Sequence, residues 1–326
     1  MTPAEPTSES AFYSLEHERP LADVVSVIEE FKRGQQGTTG YAIELAKLEK
    51  KLDKLKQKVY RKLTPWERIL ICRHARRPHT IDYIKHITDK FIELSGDRLY
   101  GDDSSVIGGF ASIDDVKFML IGQEKGSDTE SRMERNFGMS NPEGFRKALR
   151  LMKLAEKFRL PIVTFVDTPG ANPGLEAEER GQGWAIANNL LEMAQIRVPI
   201  TVLIIGEGCS GGALGIAVGD VVAMLEHAYY SVISPEGCAS ILWKDSLRRQ
   251  EAASALKLNA ENLLESGLID HIIPEPLGGA HHNPDLMCTR VKHFILEKYY
   301  ELQTTPTDSL LEQRYAKFRS MGRFCE

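Results

Sequence analysis

The chain has 326 residues, 42% hydrophobic and 27% charged, with a formal net charge of −5, an ordinary globular composition with enough length for a sizeable core. This balance gives no general attraction to nucleic acid or to an anionic membrane, and neither is expected as a partner. The longest apolar runs, such as ITVLII at 200–205, are of strand length and far short of the roughly 20 residues of a spanning helix.

The polar, partly acidic stretch MTPAEPTSESAFYSLEHERP has neither a secretory nor a transit pattern, so a cytoplasmic location is expected. Cysteines stand at 72, 209, 238, 288 and 325 with no C-x-x-C pair, which suggests neither a disulfide framework nor a thiolate zinc site. No metal is expected on this chain, and each cysteine reads as a reduced thiol.

In chain order, residues 38–60 place Tyr41, Leu45, Leu48, Leu52, Leu55 and Val59 at alternating spacings of four and three. That is the seam of an amphipathic helix, with lysines 47, 50, 51, 54, 56 and 58 on its solvated face. Thr64-Pro65 opens a second helix, PWERILICRHARR, and Thr80 is expected to cap a third, IDYIKHITDKFIEL. Residues 1–95 thus read as a helical region. Arg73, His74, Arg76 and Arg77 form a local basic cluster, open to an anion or a partner.

From residue 96 the texture changes to α/β. IGGFASI and VKFMLIG flank Asp114-Asp115 as a hairpin. A helix at 142–158, a strand PIVTFVDT, a helix at about 176–196, a strand PITVLII, a short helix after Gly211, and strands VVAML and AYYSVI follow. Buried strands alternating with helices imply a mostly parallel sheet covered on both faces. The α/β domain is placed at 96–284 and a helical docking tail at 285–326.

Two strands end in glycine-rich turns, TFVDTPGANPG at 164–174 and VLIIGEGCSGGALG at 202–215. Such turns aim helix-start N–H groups at an anion. The second turn satisfies two motifs at once. Gly206, Gly208 and Gly211 spell G-x-G-x-x-G, with Glu226 at a suitable distance, but the following helix is short and interrupted by Gly215. Gly208, Ser210 and Gly212 spell G-x-S-x-G, for which His227, His271, His281 or His282 with Asp220 or Asp270 would be needed. Spacing neither excludes nor selects that triad. A third reading is that the glycines bring backbone close to an oxyanion, with the Gly211 and Gly212 N–H groups as donors.

The run GEGCSGGALGIAVGDVVAMLEHAYYSVISPEG resembles the oxyanion-hole segment of the crotonase superfamily, with Asp220 at a position where that family often has aspartate. Leu214 stands where hydratase members have a catalytic glutamate, which argues against hydratase chemistry although Glu236 is present. The larger set LSGDRLYGDD, RNFGM, PEGFRKALRLM, DTPGANPG, AEERGQ, GEGCSGGA, YSVISPEGCASILWK and IIPEPLGGAH resembles the carboxyltransferase alpha subunits of bacterial and plastid acetyl-CoA carboxylases, over about residues 15–320.

The resemblance implies a crotonase-like (ClpP/crotonase) spiral α/β core with an N-terminal helical extension and C-terminal helices, assembled as alpha2beta2. The beta subunit would carry the zinc ribbon and most acetyl-CoA contacts. The implied reaction moves a carboxyl group from carboxybiotin, on the biotin carboxyl carrier protein, to acetyl-CoA. Its product, malonyl-CoA, commits carbon to fatty acid synthesis, and ATP is used by the partner biotin carboxylase. An alternative is a stand-alone crotonase-type acyl-CoA decarboxylase or isomerase.

By the same resemblance, Gly211 and Gly212 supply the oxyanion hole for the biotin ureido oxygen, and Gly170, Ala171, Gly208, Ser210, Glu236 and Gly237 border the substrate. Lys125, Arg132 and Arg135 are candidates for CoA phosphates. Two positions depart from the family pattern: Cys209, commonly glycine, and Asn172, commonly a bulky aromatic.

Overall fold

The computed structural model describes residues 12–34 and 40–322; the N-terminal stretch through residue 11, the first two residues of the 38–60 segment and Cys325 lie outside them. The chain opens with α1 (Arg19–Gly34) and α2 (Tyr41–Tyr60), which pack on each other. All six seam residues of α2 are at least half-buried, whereas lysines 47, 50, 51, 54 and 58 are exposed. The heptad spacing thus marks an intramolecular helix pair.

In α3 (Pro65–Cys72) the Thr64 hydroxyl accepts from Glu67 N–H at 3.2 Å while the Glu67 carboxylate accepts from Thr64 N–H at 2.7 Å, a reciprocal cap. α4 (Thr80–Ile87) is shorter than expected and its N-cap is His79; the Thr80 hydroxyl instead donates to Gln123 O at 2.5 Å. Thr88 is extended and its hydroxyl donates to Ile84 O at 2.7 Å, which closes the helix.

Residues 90–93 then form a strand, β1 (Lys90–Glu93), antiparallel to β2 (Val106–Ile113). The helical reading of 81–94 thus holds through Ile87 and is corrected beyond it. The physical reason lies across the pair: a Cβ on Gly109 would sit 2.0 Å from Ile92 O, so the glycine admits a neighbouring backbone. β3 (Val116–Gln123) completes the expected hairpin. Asp114 and Asp115 both have positive φ, 45° and 66°, as a two-residue type I′ turn requires.

After α5 (Thr129–Glu134) and α6 (Pro142–Phe158) comes β4 (Ile162–Thr168), buried throughout. The helix expected at 176–196 is two, α7 (Leu175–Glu179) and α8 (Gln182–Met193), divided at Gly181 with φ +83°. β5 (Ile200–Cys209) is followed by α9 (Ser210–Leu214), β6 (Val221–Leu225) and β7 (Tyr229–Ser231). α10 (Pro235–Trp243), α11 (Arg249–Leu256), α12 (Ala260–Glu265) and β8 (His271–Ile273) follow, and like α1 and α5 they carry no individual expectation from the sequence. α13 (Pro284–Leu302) and α14 (Thr307–Arg319) close the described chain.

The sheet order is β1-β2-β3-β4-β5-β6-β8, with β7 paired to the far end of β5; pairing is antiparallel through β3 and parallel beyond it. From β1 to β6 strand order follows chain order, and β8 continues it after β7 has stepped back to the end of β5; the main path thus advances in one direction as a spiral, without the strand-order reversal of a doubly wound sheet. Tyr83 and Ile87 of α4, Met287 and Val291 of α13, and the strand residues share one apolar core. The flanking helices are therefore built into the α/β body. No helix among the described residues is long and apolar enough to cross a membrane.

Candidate active site

Both glycine-rich turns lie at the C-terminal ends of β4 and β5, adjacent parallel strands. Their backbones touch: a Cβ on Gly212 would lie 2.5 Å from Ala171 N and 2.5 Å from the Gly170 carbonyl carbon. Only glycine allows that approach. Gly211 is different, since a Cβ there would meet only the Ile186 side chain at 3.5 Å, ordinary contact. The fully buried Gln123 amide donates to Gly212 O at 2.7 Å and fixes the orientation of the turn.

The residues expected to be a glycine loop, 206–209, are strand. Glu207, Gly208 and Cys209 pair with Tyr229, Tyr230 and Ser231, beyond a register shift against β4 between Val166 and Thr168. A Cβ on Gly208 would be 3.0 Å from the Tyr230 ring, so this glycine admits β7. Cys209 is buried, and burial pushes its thiol up to about 11, which leaves it no thiolate for nucleophilic attack near neutral pH.

Ser210 is exposed and adopts φ +57°, a left-handed conformation uncommon outside glycine. It forms the hinge between β5 and α9. Among the described residues its hydroxyl has no hydrogen-bond partner, histidine or otherwise. His227, one histidine suggested for a triad, is buried with its Nδ1 unpaired, while its backbone N–H donates to Glu275 at 2.9 Å. Asp220 accepts a double contact from Arg314, at 2.8 and 2.7 Å, and the Ile200 N–H at 2.7 Å. It anchors α14, which accounts for an aspartate there.

At the first turn, the Thr168 hydroxyl donates to Gly138 O at 2.6 Å and accepts from Gly170 N–H at 3.1 Å. The Asn172 amide donates to Asn141 Oδ1 at 2.8 Å, and its oxygen accepts from Gly174 N–H at 2.9 Å. Asn172 thus acts as a polar brace of the rim. At α10, Gly237 N–H is taken by the Ser234 hydroxyl cap at 3.1 Å.

A buried ionic network supports these turns, and sequence reasoning did not find it. Lys125 Nζ bridges Asp167 Oδ1 and Glu207 Oε1, both at 2.7 Å. Arg73 joins Glu207 at 2.8 Å to Glu236 at 2.6 Å, with Tyr229 OH at 3.1 Å. Asp167 also accepts Glu207 N–H at 2.9 Å and faces His79 Nδ1 at 3.2 Å. Burial alone would raise the Glu207 carboxyl, yet Lys125 and Arg73 outweigh it and hold the group at about 2. The same contest, decided by Lys125 and His79, keeps Asp167 well below the usual carboxylate range.

These contacts change the reading of two cationic sets. Arg77 is buried and grips Glu275 through both terminal nitrogens at 2.9 and 2.6 Å, so of the basic cluster only Arg76 is exposed. Lys125 is committed to carboxylates, and Arg135 donates to Ser104 O at 2.5 Å. Arg132, whose Nε donates to Gly126 O at 3.2 Å, lines a polar cavity of 280 Å³ with Arg73, Lys125, Pro169 and Glu207.

A second cavity, 320 Å³ and mostly apolar, is lined by Ser210, Gly211, Leu214, Tyr230, Phe318 and Met321 among others. The start of α9 lines this second cavity. A larger space of 610 Å³ among Glu156, Pro161, Arg197 and Leu310 is at the opposite strand ends, away from both turns. The site therefore offers backbone donors, an apolar pocket and a rigid ionic floor, without an assembled nucleophile.

Residues 14–322 match the family described as acetyl co-enzyme A carboxylase carboxyltransferase-like. The acetyl-coenzyme A carboxylase carboxyl transferase subunit alpha of Protochlamydia amoebophila (strain UWE25) is 62% identical over 312 residues, covering 96% of this chain and 99% of that protein. The protein of the same name from Chlamydia pneumoniae is 58% identical over 311 residues, 95% of this chain and 96% of that one. Among solved structures, a Pseudomonas malonate decarboxylase hetero-tetramer in complex with coenzyme A aligns with TM-score 0.57 at 16% identity, over 75% of this chain and 96% of that chain. A transcarboxylase 12S structure aligns with TM-score 0.56 at 18% identity, over 69% of this chain and 41% of that one. At such identities the two structures establish a shared fold.

Proposed function

The chain belongs to the acetyl co-enzyme A carboxylase carboxyltransferase family, and from that premise we propose that it is the alpha subunit of the carboxyltransferase, active with a beta subunit in an alpha2beta2 assembly. The reaction moves the carboxyl group of carboxybiotin, presented by a carrier protein, onto the methyl carbon of acetyl-CoA to give malonyl-CoA.

The observation that carries this reading is the backbone contact of Gly212 with Gly170 and Ala171. It joins the two turns beside the start of α9, where N–H groups lack intrahelical acceptors. As the nitrogen–carboxyl bond breaks, negative charge grows on the ureido oxygen, and the Gly211 and Gly212 N–H groups are the donors assigned to it. One such donor is worth on the order of 3 kcal/mol. The partner subunit is assigned the thioester enolate. The methyl proton goes to the vacated ureido nitrogen, so no separate side-chain base is required.

The Arg73 contact fits Glu236 to a bracing role, since its carboxylate is already paired at 2.6 Å. The apolar Leu214 at the position of a hydratase glutamate speaks against a stand-alone hydratase-type reaction. Malonyl-CoA formation and its reverse, assayed with this chain alone and with the beta subunit, test the proposal. Activity only in the mixture is expected; full activity of the isolated chain would overturn the requirement for a partner.

A further inference from the structure

Away from the two turns, Glu18, His281 and His282 meet although most of the chain separates them in sequence. Ligand-type atoms from the three lie within 4.8 Å of one another. Gly278 and Gly279, at φ +94° and +118°, reverse the backbone ahead of the short 3₁₀ turn Ala280–His282. His282 Nε2 is 3.7 Å from Glu18 Oε1 and 3.4 Å from the Tyr60 hydroxyl.

Two features of this cluster are costly for a closed apolar core. Glu18 is fully buried; Tyr60 OH donates to it at 2.8 Å and Leu15 N–H at 3.2 Å, but among the described residues no lysine or arginine pairs with it. A buried carboxylate without a cation is expensive. His281 is 2% exposed, and neither ring nitrogen has a hydrogen-bond partner. Each such unsatisfied group costs about 1–3 kcal/mol. Its neighbour His74, stacked on it at 3.8 Å, is satisfied, with Ser14 Oγ at Nε2 and Arg76 N–H at Nδ1, both 3.2 Å. Stacking thus explains where His281 packs and leaves its nitrogens unexplained.

We propose that Glu18, His281 and His282 form a site for a divalent transition-metal ion of the zinc class. Two imidazoles and one carboxylate are a donor set for such ions, whereas calcium and magnesium prefer oxygen ligands. Zinc bonds of about 2.0–2.1 Å place tetrahedral ligand atoms about 3.3 Å apart, so the cluster closes by small side-chain rotations. Three protein ligands leave the fourth position to water or the Tyr60 hydroxyl. A groove lined by Phe12, Arg76, His281 and His282 gives the ion a path.

The cluster lines neither the apolar cavity at Gly211 nor the polar cavity at Lys125 and Glu207, so its role is structural. It fastens the segment before α1 to the turn after β8, against His74, the residue next to Arg73 in the ionic floor. Cysteine spacing carries no information on a site built from histidine and glutamate.

The test uses the full-length chain without a histidine tag, stripped with a chelator and titrated with cobalt(II) chloride. One equivalent should bind with the visible absorption of four-coordinate cobalt, and zinc chloride should displace it. Glu18→Gln and His282→Gln should each weaken binding by at least the roughly tenfold that an outer-shell loss costs, with unchanged circular dichroism. Zinc should raise the melting temperature of the natural chain alone. An absent cobalt spectrum, or equal binding by both variants, would overturn the proposal. If the variants fail to fold, X-ray absorption of the zinc-loaded natural chain decides: a shell with two imidazoles supports the site, and one with fewer or with sulfur refutes it.

Discussion

Arg73 Nη1 lies 2.6 Å from Glu236 Oε1 while its Nε lies 2.8 Å from Glu207 Oε2. One guanidinium from the end of α3 therefore ties the end of β5 to the first turn of α10. The planar fork suits two carboxylates at once, which an ammonium does not reproduce.

Arg73→Met should destabilise the chain and depress carboxyl transfer. Removing one member of a largely buried pair leaves uncompensated charge and costs on the order of 3 kcal/mol. Arg73→Lys should recover part of the stability but less of the rate, because it cannot hold both carboxylates. Urea unfolding read beside kcat and KM with the beta subunit present separates the two effects; a fully active Arg73→Met would show that the brace is dispensable.

Gly212→Ala should abolish transfer, since its Cβ would collide with Gly170 and Ala171 at 2.5 Å. Gly211→Ala meets only Ile186 at 3.5 Å and keeps its N–H, so it should fold and retain much of its rate. Ser210→Ala should also retain most activity, because no partner activates the hydroxyl. A covalent serine adduct, with loss of activity in Ser210→Ala, would restore the hydrolase reading of G-x-S-x-G. The transfer assay on the three variants decides among these roles.

The parts of this fold legible in the sequence are those with strong local signals. The Asp114-Asp115 hairpin, the apolar strand VVAML and the 4-3-4-3-4 seam of α2 all formed where their patterns placed them. β1 was hidden because KFIE continues a helical pattern, and its strand state depends on Gly109 opening the neighbouring strand. Glycines 206 and 208 read as a turn, yet they lie in β5, where they make room for Asp167 and β7. At the site, the glycines that let backbones meet were visible as motifs. The Arg73 and Lys125 bridges were not, because each joins segments far apart and a charged residue in isolation reads as surface.

Acid should weaken the fold through Glu207. Its carboxyl is lowered from 4.5 to about 2 in the folded chain, so the folded state binds fewer protons than the unfolded state between those values. The stabilisation is present above about pH 4.5 and is lost as pH falls toward about 2. Glu275, also held at about 2 against 4.5 once Arg77 overcomes its burial, adds to the same window. Glu207→Gln should flatten the decline measured by unfolding free energy against pH, at the expense of stability near neutrality; an unchanged slope would remove Glu207 from the acid response.

Arg314 tests whether the C-terminal helix belongs to the working site. Its guanidinium is 1% exposed and donates to Asp220 at 2.8 and 2.7 Å, to Met193 O and Ile196 O at 2.8 Å, and to Val198 O at 3.1 Å. Arg314→Met removes every one of these and leaves Asp220 buried with its charge supported by the Ile200 N–H, at a cost of about 3–5 kcal/mol. The double variant Arg314→Met with Asp220→Asn should recover part of that loss, because the orphaned charge is gone. Phe318 and Met321 line the apolar cavity beside Gly211, so loosening α14 should also reshape that pocket. Hydrogen exchange should rise across 307–319 while β4 and β5 stay protected, and KM for the biotin substrate should rise more than kcat falls. Loss of protection throughout the sheet would instead make Arg314 a requirement of the whole fold.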